Sequence, residues 1–445
     1  MKHCSVWQLP EYSSNADKQT VITLNEYPVL RGKNRTDVLI IGGGIAGILT
    51  AKLLSEKGVS CAVAEMNRVF GGVSGNTTAK ITVGHGLIYS RIAERYSNEY
   101  AKMYLDANND ALRKFADLAE NIPCDFSRSD SYIYTRRNPR AIENELRVLD
   151  KIGGNAKYAD KLNLPFPAEG AVCFENQAQF NPLKFVSGIL GEMKNVKIFE
   201  HTHIIDIEDK TAYSAEGSIT ADAIVIATHF PFLNRCGCYF LKMYQSRSYA
   251  AALENAPLCD GMYMDENPAG FSFRSCGKYL LVGGGAHKTG ETCRRSELLD
   301  FIGSCYKGAE IATLWSAQDC ISLDGIPYIG HYGRTHRDWY VASGFNKWGM
   351  TSSMTAAVLL SDMIIGRQNK NAAVFNPSRN MFGKNLAVNA ANAAKNLLTP
   401  TAPRCPHMGC ALKKNPAEHT WECPCHGSRF SEKGELLDNP ANRNL

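Results

Sequence analysis

Near the C-terminal end, Cys405-Pro406-His407 and Cys423-Pro424-Cys425-His426 form a C-x-H and a C-x-x-H pair with fifteen residues between them. Four soft or borderline ligands at such a spacing bind a metal. The choices are zinc, or a [2Fe–2S] cluster with two cysteines on one iron and two histidines on the other. A second set of chemically capable residues lies at 37–65. Val38-Leu39-Ile40-Ile41 is an uninterrupted apolar run and reads as a buried parallel strand. Gly42-Gly43-Gly44-Ile45-Ala46-Gly47 follows, then a helix over 45–57 that Gly58 ends, then a strand over 59–64 with Glu65 at its end. Gly42 permits a tight turn, Gly44 lets the backbone approach a pyrophosphate, and Gly47 lets helix and strand pack closely. The helix start at Ile45 and Ala46 offers unpaired N–H groups and a positive dipole end to phosphates. Glu65 is placed to accept hydrogen bonds from ribose hydroxyls. A lone glycine fingerprint is weak, but here strand, turn, helix, second strand and terminal acid fall in order, which predicts a dinucleotide site.

The elements that must position these groups read as follows. The glycine and hydroxyl residues of 71–80, Thr77 and Thr78 among them, suit a loop running close to the cofactor. Residues 88–118 carry apolar positions at helical spacing, and 124–175 alternate short strands and loops. Asn181-Pro182 starts another helix. Residues 196–207 and 223–228 read as strands, the latter ending in Thr228-His229-Phe230-Pro231 at the edge where open α/β sheets bind ligands. Mixed strands fill 239–285. The arginines Arg247 and Arg274 there, and Lys288 beyond, read singly as solvated or surface-paired charges. A strand at 340–342 leads to a helix that starts near Gly349, Met350 and Thr351, a second place for backbone N–H groups to face an anion. Asn376-Pro377 begins a last helix with Leu386, Ala390, Ala393 and Leu397 on one face. Residues 399–403 read as a semi-rigid linker.

Composition excludes several classes. The 445 residues are 44% apolar and 21% charged, with a net charge of +5 and no long basic run, so nucleic acid is not a partner suggested by the sequence. No charge-free apolar stretch reaches the ~18–20 residues that span a bilayer. The first residues lack the apolar core of a signal peptide, so a cytoplasmic location is expected. Of fifteen cysteines, eleven are scattered from Cys4 to Cys320 and read as reduced, mostly buried small residues.

Taken together the chain resembles the D-amino-acid-oxidase superfamily of flavoproteins, in particular an amine-oxidising branch with a C-terminal Rieske domain. The resemblance runs from about Ser5 to the end. It rests on IIGGGIAG with Glu65, GNTTAKITVGHGLIY at 75–89, IVIATHFPF at 224–232, GGGAHKTG at 283–290, SLDGIPYIG at 322–330, GFNKWGMT at 344–351 and CPHMGC…CPCHGS in the tail. It implies an α/β (α+β) fold, in which an FAD-binding Rossmann-like domain interleaves with a mostly antiparallel substrate-domain sheet that roofs the flavin. A small C-terminal Rieske-type iron–sulfur module follows. The expected divisions are an arm at 1–35, the FAD domain at 36–87, 170–235 and 315–370, the substrate domain at 88–169 and 236–314, a linker helix at 371–403 and a minimal Rieske module at 404–445.

By the same resemblance, Gly42, Gly44, Ile45, Ala46, Gly47 and Glu65 hold the ADP half of FAD. Thr77, Thr78 and Thr228 lie near pyrophosphate and flavin, and the amides of Gly349, Met350 and Thr351 face the flavin's pyrimidine edge. Lys347 and His229 are the catalytic candidates. Cys405, His407, Cys423 and His426 ligate a [2Fe–2S] cluster, and Cys410 and Cys425 match the pair that is disulfide-bonded in many Rieske proteins. Ser428 stands where high-potential Rieske proteins have a serine donor to the cluster, whereas Phe430 replaces their tyrosine. The module departs from the family in size, because about forty residues cannot bury a sufficient core alone. Either the flavoprotein surface completes it or it holds its cluster poorly. The implied activity is FAD-dependent oxidation of an amine or amino acid, with hydride to flavin N5 and single electrons through the cluster to an acceptor. The alternative is a non-metabolic redox-sensing or electron-transfer protein whose tail could be a zinc site.

Overall fold

The apolar run Val38-Leu39-Ile40-Ile41 ends the strand Gly32–Ile41, the middle of five parallel strands. Their order is Trp339–Ser343, Gly217–Ile226, Gly32–Ile41, Cys61–Ala64, Val196–Phe199. Short antiparallel strands at both Tyr328–His331 and 206–213 bring this sheet to eight. In this computed structural model residues 4–15, 18–21, 24–234, 237–381 and 383–445 are described. Helices Ile45–Glu56 and Gly349–Ile364 pack together on the sheet. Ile48 and Leu54 of one meet the same core as Ala356 and Leu360 of the other.

A second sheet has nine strands, in the order Glu310–Ser322, Met243–Glu254, Tyr279–Lys288, Ser272–Cys276, Met262–Asp265, Ser127–Thr135, Gly170–Gln179, Lys80–Ile81, with Lys157–Ala159 beside Gly170–Gln179. Its ladders are antiparallel except between Met262–Asp265 and Ser127–Thr135. Alternation gives it two different faces. Ala250, Ala252 and Trp315 join the core shared with the first sheet, while Tyr249, Ala251 and Leu253 pack with Leu298 and Ile302 of the helix Arg295–Cys305. Two segments differ from the expected divisions. Gly170–Gln179 and Glu310–Ser322 both belong to this second sheet, because their hydrogen-bonding partners are Ser127–Thr135 and Met243–Glu254.

The C-terminal unit is a four-stranded antiparallel meander, Lys413–Asn415, Thr420–Glu422, Arg429–Ser431 and Leu436–Asp438. Asn376-Pro377 does not open a helix. The Asn376 side chain accepts from the Ser378 amide in a turn, the helix Ala372–Phe375 stops before it, and the next helix is Lys384–Leu398. That helix is more than a linker: Ala393 packs on the meander's core and the Ala411 amide donates to Asn396 O at 3.1 Å. No helix among the described residues is long and apolar enough to cross a membrane.

Candidate functional site

The glycine turn leaves no room for side chains. Gly42 has φ +110°, and a Cβ there would lie 2.4 Å from Ala227 O. A Cβ on Gly47 would lie 2.0 Å from Gly42 O. The helix therefore starts directly on the turn, with its N-terminus facing a cavity of about 1140 Å³. This exceeds the ~300–1000 Å³ of ordinary ligand pockets, as a dinucleotide plus substrate requires. Gly42, Gly44, Ile45, Ala46, Glu65, Thr77, Thr78, Thr228, His229, Lys347, Gly349 and Met350 all line it. Gly47 and Thr351 do not. Gly47 is packed under the turn, and the Thr351 hydroxyl donates to Thr82 O at 2.8 Å and accepts from the Thr82 amide, tying helix to loop.

Glu65 lines the cavity beside the glycine turn. Its carboxylate accepts from the amides of Gly43 at 2.7 Å and Asn67 at 2.9 Å. Burial raises its pKa and those amides oppose the rise. Ser74, one of the hydroxyl residues of the loop 71–80, accepts from the Ile45 amide at 3.0 Å. The loop 76–79 is held from three directions: Trp7 Nε1 donates to Thr77 O at 2.7 Å, Trp315 Nε1 to Asn76 O at 2.9 Å, and Arg274 to the carbonyls of Thr78 and Ala79, both at 2.7 Å. Arg274 is thus no solvated surface charge. It is 3% exposed and braces the loop.

Across the cavity, Lys347 and His229 are brought together with a residue that sequence reasoning missed, Asp319 on the strand Glu310–Ser322. Three non-glycine residues here, His229, Asn346 and Lys347, have φ of +65°, +53° and +71°. Left-handed backbone at non-glycine positions is stored strain that clusters at functional sites. The Asn346 side chain holds the turn, accepting from the Ser322 amide at 2.8 Å and donating to Gly344 O. The Lys347 ammonium donates to Pro268 O at 2.8 Å. Burial lowers the Lys347 pKa, which Asp319 opposes. Burial raises Asp319 and lowers His229, and their mutual attraction opposes both shifts.

The four metal-ligand candidates meet across two loops in two pairs, His407 with His426 and Cys405 with Cys423. Burial takes His407 down to about 4 and His426 down to about 3, so both are neutral imidazoles fit to ligate. Their rings lie 5.0 Å apart, and Nδ1 of each is buried without a partner, while His407 Nε2 meets Asn234 Oδ1 at 2.7 Å. An orphaned Nδ1 on both rings fits a metal there, with Asn234 orienting one ring. Cys405 and Cys423 hydrogen-bond each other; that bond lowers Cys405 to about 7, which makes it the first of the pair to ionise. Cys410 and Cys425 form a disulfide behind the ligand loops. The Ser428 hydroxyl accepts from the Ala441 amide at 2.9 Å and lies beside Cys405. Phe430 is fully buried in the module's core.

The flavoprotein completes this small module. Gln245 Nε2 donates to His426 O and Asn439 O, and Gln318 Nε2 to Gly427 O, at 2.8 to 2.9 Å. Asn439 in turn donates to the carbonyls of Thr228 and Phe230. The Phe230 and Phe240 rings stand 6.2 and 6.0 Å from that of His426. At the centre of the seam Glu418 accepts from Arg247, from Tyr249 Oη at 2.6 Å and from Arg429 at 2.8 Å. Arg247, expected as a lone surface charge, is 3% exposed inside this network.

Comparison with known proteins agrees with these two centres. The model of the family described as "FAD dependent oxidoreductase" (DAO) matches residues 37–363, and that of the Rieske [2Fe-2S] domain matches residues 369–445, so it takes in the helix Lys384–Leu398. The Rieske 2Fe-2S iron-sulfur protein YhfW of Bacillus subtilis is 31% identical over 95% of both chains. Glycine oxidase from Geobacillus kaustophilus superposes with a TM-score of 0.66 at 18% identity, covering 78% of this chain and all of its own. L-amino acid deaminase from Proteus vulgaris gives 0.64 at 13% identity, over 80% of this chain and all of its own. A Rieske rather than a zinc tail follows from the matched domain. The chain belongs to the DAO family of FAD-dependent oxidoreductases and carries a C-terminal Rieske domain, with FAD and a [2Fe–2S] cluster as its cofactors.

Proposed function

We propose that the protein oxidises a carbon–nitrogen bond of an amine or amino acid and passes the electrons singly to an acceptor. The observation that carries this reading is the seating of the Rieske module. His426 and its loop lie against Gln245, Gln318 and Phe230, on strands and a turn that also wall the dinucleotide cavity. When bound, FAD supplies a two-electron acceptor for a hydride and the cluster a one-electron relay. The chain's own residues supply the rest. The Gly349 and Met350 amides at a helix start favour negative charge at the ring system. The second sheet forms one wall of the cavity. The nitrogen lone pair of a neutral amine drives hydride loss, so no strong base is required of Lys347 or His229. The names of the structural neighbours, a glycine oxidase and an L-amino acid deaminase, support this donor class. The matched Rieske domain supports onward transfer of single electrons to a protein or small acceptor. Buried unpaired thiols such as Cys61, Cys124 and Cys320 support a reducing, cytoplasmic setting.

The test is anaerobic titration of the holoprotein with primary amines, secondary amines and amino acids. At least one should bleach the flavin stoichiometrically. Bleaching by none of them, with a flavin that dithionite still reduces, would favour the electron-carrier alternative.

A further inference from the structure

Asp319 is a carboxylate of the cavity wall with no counter-charge in an ion pair among the described residues. Register places Asp319 opposite Ser246, and alternation along its strand puts it on the same face as Trp315, which bonds the loop 76–79. Its carboxylate lines the cavity and makes no hydrogen bond or ion pair among the described residues. Lys347 is close enough to be felt electrostatically, yet it spends its ammonium on Pro268 O and forms no ion pair with Asp319. His229 presents a buried Nε2 with no partner. A carboxylate out of bulk water needs a cation or several donors. The guanidiniums around it are already committed: Arg247 to Glu418, Arg274 to two carbonyls, Arg429 to Glu418 and Asp438. These guanidiniums are thus not free to meet Asp319, although Arg91, Lys80 and Lys288 elsewhere on the wall form no ion pair among the described residues.

We infer that Asp319 is the recognition carboxylate for a cationic substrate, and that it anchors the ammonium of an aliphatic amine against the inner face of the second sheet, beside Lys347 and His229. The inference rests on the amine-oxidation reading and narrows it: the positive nitrogen, not a carboxylate, is what the protein grips. A residue in this role sets affinity and orientation, and as a carboxylate it takes up the ammonium proton, leaving the nitrogen lone pair that hydride loss needs.

The test uses holoprotein and two isosteric probes that cannot be oxidised, since neither has a hydrogen on the carbon beside the charged group: tert-butylammonium and pivalate. Binding is followed by calorimetry and by flavin absorbance. Wild type should bind tert-butylammonium at least tenfold more tightly than pivalate. Asp319→Asn should weaken tert-butylammonium binding roughly ten- to hundredfold, the loss of one charge-assisted contact, with flavin content unchanged. Asp319→Glu should restore most of it. Equal or tighter binding of pivalate by wild type overturns the inference even if Asp319→Asn fails to purify with flavin. If an amine bleaches the flavin while Asp319→Asn binds tert-butylammonium as wild type does, the anchor is wrong and the oxidation stands. If tert-butylammonium behaves as expected while no amine bleaches the flavin, the oxidation is wrong and the cation site stands.

Discussion

Glu418→Gln should loosen the Rieske module from the flavoprotein without unfolding either. The Glu418 side chain is 12% exposed and touches Arg247, whose side chain is 4% exposed, and Arg429. Arg429 keeps Asp438 at 2.7 Å and Glu422 at 3.3 Å after the substitution, whereas Arg247 keeps only the Ser316 hydroxyl. The loss thus falls on the buried Arg247 guanidinium, left with only the more distant charge of Asp438, and costs up to about 3–5 kcal/mol. That lowers the docked-to-undocked ratio by up to about two to three and a half orders of magnitude. Hydrogen exchange is the assay. The Gly290 amide donates to Glu422 Oε2 across the seam at 3.0 Å and should exchange correspondingly faster, as should cleavage by protease within 399–403. Amides of the strand Gly32–Ile41 should be unaffected. Unchanged exchange at Gly290 in a folded, flavin-bearing variant would refute the claim that this ion pair holds the module down.

Five other outcomes are expected. Burial raises the Glu418 pKa, but Arg247 and Arg429 outweigh it and the net shift is downward; Asp438 behaves likewise beside Arg429. Carboxylates depressed in the folded state stabilise it fully above their unfolded pKa, about 4. That part is lost as pH falls through the depressed values, so the seam should open in acid, and Glu418→Gln should flatten the pH dependence of Gly290 exchange. Gly44→Val should place a branched side chain, whose Cβ lies 3.1 Å from Ser74 Oγ, where the pyrophosphate approaches, and yield protein lacking yellow colour. Anaerobic protein should contain two iron and two acid-labile sulfide per chain, as the Rieske ligation requires. Ser428→Ala should lower the cluster's potential by about 60–130 mV, one charge-assisted hydrogen bond, in film voltammetry. Phe430→Tyr should raise it only if the new hydroxyl reaches the cluster from the module's packed core.

The parts of this protein legible in its sequence are those whose chemistry is local. Residues 37–65 carry strand, turn and helix within one βαβ unit, and both ligand pairs sit within a few residues of each other. The missed features are made of residues far apart. Glu418 and Arg247 are 171 positions apart and no periodicity links them, so a lone arginine on a strand reads as solvated when it is the anchor of a seam. Asp319 is one of several polar residues in its strand; only pairing with Met243–Glu254 shows which face it occupies. Residues 170–179 and 315–322 fall in the expected FAD domain yet pair with the second sheet, because strand propensity says nothing about the partner. Asn376-Pro377 has the composition of a helix start and serves a turn, since its asparagine oxygen is used two residues on.

The central claim is that electrons taken from an amine at the flavin reach the Rieske centre through the docked module. It is tested most directly by freezing anaerobic holoprotein after adding an amine that bleaches the flavin and recording its EPR spectrum. The account predicts a Rieske-type signal from the reduced cluster that grows with the bleaching and, in Glu418→Gln, lags behind it. A fully bleached flavin beside a cluster that stays oxidised, although dithionite reduces it, would contradict the account.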